Sequence, residues 1–131
     1  MANRNFPNGG KQYSFNVMPV LISAQINVGA AGAVTGLINA PGVASVVRTG
    51  TGLYTITLQD PYFSYCGQNH SMISASGPSN IASIDTVSVS PNTLTGATIN
   101  IRCVNQAGAA ADPASGTSIS MQIRMNNSSV Q

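Results

Sequence analysis

Glutamate and tryptophan are missing from this sequence, and charge of either sign is scarce. Charged side chains make up 6% of the 131 residues: Arg4, Lys11, Arg48, Arg102 and Arg124 against Asp60, Asp85 and Asp112. General acid–base chemistry needs placed carboxylates or histidines, and three aspartates with the single His70 are a thin supply. No catalytic residues are expected. A formal net charge of +2 over five scattered cations is also too weak for a nucleic-acid footprint, so no nucleic-acid partner is expected. No apolar run approaches the ~20 residues of a membrane-spanning helix, and the leading MANRNFPNGGKQYS has no apolar core of a secretory signal. The expectation is a soluble chain made in a cytoplasm, with no membrane partner.

Reactive groups are equally sparse. Cys66 and Cys103 fall on separate predicted strands and could form a cross-sheet disulfide, but without an export signal they are expected to be free, small buried hydrophobes. His70 follows Cys66 by four residues, which invites a Cys–His nucleophile or, with Cys103 and one aspartate, a metal set. That spacing aligns side chains on a helix, not on strand and loop, and matches no familiar zinc pattern. A surface histidine beside two core thiols is expected, with no metal and no cofactor. Gly9-Gly10-Lys11 lacks the leading glycine of a phosphate loop and is followed by Gln12 where that loop needs Ser or Thr. The formal glycosylation sequons at Asn126 and Asn127 have no meaning for a chain that is not exported.

What the sequence has in quantity is period-two alternation. In VASVVRTGTGLYTITL, residues 43–58, Val43, Ser45 and Val47 alternate with Ala44, Val46 and Arg48. Beyond Thr49-Gly50-Thr51-Gly52, Tyr54, Ile56 and Leu58 share one face and Leu53, Thr55 and Thr57 the other. This is a β-hairpin around a glycine-containing turn. Earlier, Val20, Ile22, Ala24, Ile26 and Val28 form the dry side of a half-buried strand, and 34–38 is a short strand inside a Gly/Ala-rich connection. Later strands are predicted at 62–66, 70–76, 81–90 with Val87 and Val89 inward, 97–103 and 117–125. Residues 107–116 form a long loop of small residues. Seven or eight short strands with turn signals, and no helical period, predict a single-domain, all-β antiparallel sandwich or jelly roll over 17–131. Residues 1–16 hold Phe6, Tyr13 and Phe15 beside Arg4 and Lys11, more aromatic than a solvated tail needs to be, and are expected to be an extended arm that orders on a partner. Polar surface made of Ser, Thr, Asn and Gln suits a subunit packed against neighbours, since such groups avoid the desolvation cost of charges.

Two segments carry a resemblance. NRNFPNGGKQYSFNVMPVLI, residues 3–22, is similar to the N-terminus of small structural proteins of tailed bacteriophages, with Pro7 where those proteins have Ala; GVASVVRTGTGLYTITLQDPY, residues 42–62, resembles the hairpin that follows in them. The resemblance covers about a third of the chain. It implies a virion component of the capsid decoration (cement) kind: a homotrimer on the outer capsid surface, synthesised in the host cytoplasm, bound to the major capsid protein. Under that reading Asn3, Arg4, Phe6, Lys11, Tyr13 and Phe15 contact the shell. The alternative is a tail-fibre or receptor-binding β-module that uses loops 29–42 and 104–116, although their Ala and Gly are poor recognition residues.

Overall fold

A computed structural model describes residues 20–75 and 77–126. Eight strands run β1 (Val20–Val28), β2 (Val34–Ile38), β3 (Val43–Gly50), β4 (Leu53–Leu58), β5 (Ser64–Ile73), β6 (Ser83–Ser90), β7 (Thr98–Val104) and β8 (Ser118–Asn126). They form two antiparallel four-stranded sheets, ordered β2-β1-β8-β5 and β3-β4-β7-β6. Three hairpins, β1–β2, β3–β4 and β6–β7, pair neighbours in sequence, and the remaining links cross between the sheets. The fold is the expected all-β sandwich.

The alternation read from the sequence builds its core. Ile22, Ala24, Ile26 and Val28 of β1 and Ile119, Met121, Ile123 and Met125 of β8 face Tyr54, Ile56 and Leu58 of β4 and Ile99, Ile101 and Cys103 of β7. These come from the two central strands of each sheet, which can be covered on both flanks. Each fully buried Ile or Leu contributes about 1.5–3 kcal/mol of transfer free energy.

Irregularity is confined to the edges. The central pairs β1–β8 and β4–β7 run without a register shift. Each edge strand instead carries an extra residue: Thr35 in β2, Ala44 and Thr49 in β3, Cys66 in β5 and Val87 in β6. A bulge shifts the side-chain alternation by one, and this corrects three expectations. Val43 and Val46 are both buried although they fall on opposite sides of a regular strand, and Val47 is exposed. Val87 points away from the core while Ile84 and Val89 keep the inward side. The hairpin turn shrinks from four residues to Thr51-Gly52, because Gly50 pairs with Leu53 once Thr49 is set aside.

In place of the two strands expected at 62–66 and 70–76 there is a single strand, β5, over Ser64–Ile73. Gly67, Gln68 and Asn69 read as a break, yet the uninterrupted partner β8 holds them in register opposite Arg124, Ile123 and Gln122. The expected arm, residues 1–16, lies outside the described residues.

Candidate interaction surfaces

Three regions of the sandwich present chemistry. The first is the end where the β3–β4 turn, the short 3-10 turn Ala30–Gly32 and the loop after β7 meet. Arg48, the last inward residue of β3, donates from Nε to Asp112 Oδ1 at 2.9 Å and from Nη2 to Oδ2 at 2.8 Å. The Gly52 amide donates to the same Oδ1 at 2.8 Å. Asn80 ties in a further loop by donating to the Asp112 carbonyl at 2.8 Å and accepting from the Ala114 amide at 3.1 Å. Tyr54 donates its hydroxyl to the Gly32 carbonyl at 2.8 Å.

The backbone approaches here too closely for side chains. A Cβ on Gly52 (φ +68) would lie 2.7 Å from Ala111 N and O, and one on Gly32 (φ +74) 2.3 Å from Asp112 Oδ1. Both glycines are also in the left-handed region that other residues adopt at a cost. The Arg48 guanidinium holds the Asp112 carboxyl below the usual carboxylate range, helped by the Gly52 amide and opposed by burial. The same ion pair raises Arg48. Burial pushes the Tyr54 phenol far above its ordinary value, and pushes the Cys103 thiol up to about 11. Arg48 and Asp112 hold one another ionised and burial keeps Tyr54 and Cys103 neutral, which suits the group to holding this end together.

The second region is the pair of outer sheet faces. On β3-β4-β7-β6, Thr55 donates to Asn100 Oδ1 and Asn100 Nδ2 donates to Ser88 Oγ at 2.9 Å, so a polar ladder crosses three strands. Beside it, Arg102 meets Asp85 at 3.2 Å in an exposed pair. On β2-β1-β8-β5, Ser23, Gln25, Asn69, Ser71, Ser120 and Gln122 line a shallow concavity of about 390 Å³. Each of β1, β8 and β5 gives the dish one hydroxyl and one amide: Ser23 and Gln25, Ser120 and Gln122, Ser71 and Asn69. The surface offers neutral donors and acceptors in both directions.

The third region is the mouth between β5 and β6. His70 and Met72 face Ile81 and Ile84 across a cleft of about 220 Å³. Tyr65 and Thr86 join hydroxyls across the sheets at 3.2 Å.

The cysteine–histidine expectation resolves differently from its statement. Both thiols are free, and Cys103 is fully buried on β7. Cys66, however, is exposed, because it is the extra residue of the β5 bulge and its side chain has left the core-facing row. His70 is exposed on β5 in the opposite sheet from Cys103. Among the described residues no three His, Cys, Asp or Glu side chains gather as a metal site would require, and no helix is long and apolar enough to cross a membrane. The contact residues expected in the arm, Asn3, Arg4, Phe6, Lys11, Tyr13 and Phe15, lie outside the described residues. The Arg48–Asp112 pairing was missed in the sequence: the partners are 64 residues apart, and Asp112 sits in a run of Ala and Gly that gives no signal of a buried contact. No protein-family model, curated protein or solved structure matches the chain.

Proposed function

We propose that this chain is a capsid decoration, or cement, protein of a tailed bacteriophage, which binds the outer surface of the head shell and ties neighbouring capsomers together. The sequence resemblance of residues 3–22 and 42–62 to small phage structural proteins is the ground for naming the virion. The structural observation that carries the reading is that each broad face of the sandwich holds a continuous patch of uncharged hydrogen-bonding side chains, the Thr55–Asn100–Ser88 ladder on one and the Ser/Asn/Gln dish on the other. Such faces can be covered by a neighbour without the several kcal/mol per ion that burying isolated charges costs. The role needs no reaction.

In this mechanism residues 1–16 lie extended on the major capsid protein, spanning at most roughly 50 Å at 3.3 Å per residue. They add backbone hydrogen bonds like an extra strand and seat Phe6, Tyr13 and Phe15 in pockets, with Arg4 and Lys11 beside them. The sandwich packs against its own copies, a trimer by the same resemblance. Every such contact exists only in the assembled shell and therefore stabilises it.

The test is binding of the full chain and of a chain lacking residues 1–16 to purified expanded shells. The truncated chain is expected to keep the circular dichroism and melting behaviour of the sandwich and to lose shell binding. Full occupancy by the truncated chain would contradict the arm mechanism.

A further inference from the structure

We infer that the free edge of β5 pairs with β5 of a second copy of this chain, antiparallel and centred on His70. A sheet edge presents a row of unpaired backbone donors and acceptors, and proteins that avoid edge pairing protect it by shortening, bulging or charging the strand. This molecule has four edge strands, β2, β5, β3 and β6. Three of them are protected. β2 is five residues long and bulged at Thr35. β3 carries two bulges and Arg48, and β6 is bulged in its middle at Val87 and carries Asp85.

β5 is the exception. It is ten residues long, the longest strand, and carries no Asp, Glu, Lys or Arg. Its bulge falls at Cys66, near its start, so Gly67–Ile73 run in unbroken register with β8. Among the described residues no strand pairs with the other side of β5, and no loop hydrogen bond reaches 67–73. What fits such an edge is another extended backbone.

The strand is complementary to itself. A two-fold axis through His70 sets Asn69 opposite the partner's Ser71 and Gln68 opposite the partner's Met72, and keeps outer face with outer face. No Asp, Glu, Lys or Arg meets another along the paired run, and His70 lies opposite the second copy's His70 at the axis. The product is one eight-stranded sheet, in which the polar dish bordered by Asn69 and Ser71 continues into that of the second copy. This two-fold contact stands apart from the trimer implied by the resemblance and requires no shell.

The test is sedimentation equilibrium of the full chain and of two double variants on the exposed outward positions. Wild type is expected to be a reversible dimer. Asn69→Lys with Ser71→Lys sets two like-charge cross-strand pairs at the axis and is expected to weaken dimerisation about tenfold. Asn69→Lys with Ser71→Glu sets two opposite-charge pairs in their place and is expected to restore it. Amide hydrogen exchange supplies a reading that needs no variant, with 67–73 gaining protection as protein concentration rises and β2, β3 and β6 unchanged. A wild-type chain that stays monomeric, an oligomer indifferent to both variants, or equal loss in both would each overturn the assignment.

Discussion

The Asp112 end of the sandwich and the β5 edge belong to the same charge-poor chain, yet one is closed and the other open. At the Asp112 end, one carboxylate accepts from two guanidinium nitrogens and a backbone amide, and glycines let the chains touch. At β5, ten residues present a backbone edge with no partner among the described residues. The difference lies in where the few charges went. Arg48 and Asp112 tie β3 to the loop after β7, 64 residues away, while Asp85 and Arg102 sit on an outer face. One ion pair thus clasps the Asp112 end, while no Asp, Glu, Lys or Arg falls on β5, which leaves that strand able to pair.

Four measurements can break this contrast, beginning with the largest effect. Gly52→Ala should destabilise the fold by about 2–4 kcal/mol in urea denaturation, through left-handed strain plus collision with the Ala111 and Cys103 backbone. Gly108→Ala has φ +81 but nothing within 4 Å, so it should cost only about 1–2 kcal/mol. Equal costs would mean that the Asp112 end is not tightly packed.

Asp112→Asn should lower the melting temperature at pH 7 by about 5 °C. It should also flatten the acid limb. The folded carboxyl titrates below its unfolded value, so its stabilisation is complete above that ordinary value, about pH 4, and is lost as pH falls further through the folded one. A variant with the wild-type acid limb would show that Asp112 carries no linkage.

The alkaline limb has the opposite sign. Tyr54 and Cys103 titrate higher in the folded protein than unfolded, so their contribution is intact below their ordinary values and is lost as pH rises, Cys103 through about 11. Denaturation midpoints should fall above about pH 9. Tyr54→Phe should make that fall shallower and cost about 1 kcal/mol at neutral pH by leaving the Gly32 carbonyl without its donor.

The smallest effect belongs to the open side. Ser71→Lys should change the stability of the isolated fold by less than about 0.5 kcal/mol, because the position is exposed on the rim of the dish. A large loss would show that the β5 edge is as closed as the Asp112 end.

How far the sequence disclosed this molecule follows the same division. Central strands were legible because covering both flanks demands strict alternation, as in Ile22–Val28 and Ile119–Met125. Edge strands were legible in existence but not in facing, since one extra residue at Ala44, Cys66 or Val87 reverses every position beyond it and no local residue type marks the bulge. β5 looked broken because Gly67 and Asn69 signal turns, a local preference that nine residues of pairing with β8 override. The Arg48–Asp112 clasp was beyond reading, because it depends on two loops meeting in space. The contact residues Asn3, Arg4, Phe6, Lys11, Tyr13 and Phe15 remain a proposal from resemblance and aromatic content.

The measurement that most directly tests the capsid account is the copy number of this chain in purified phage particles, by quantitative mass spectrometry against the major shell protein. The account predicts a ratio near one to one, or copies in the hundreds, roughly as symmetric coverage of a shell requires. A handful of copies per particle, or none, would contradict it.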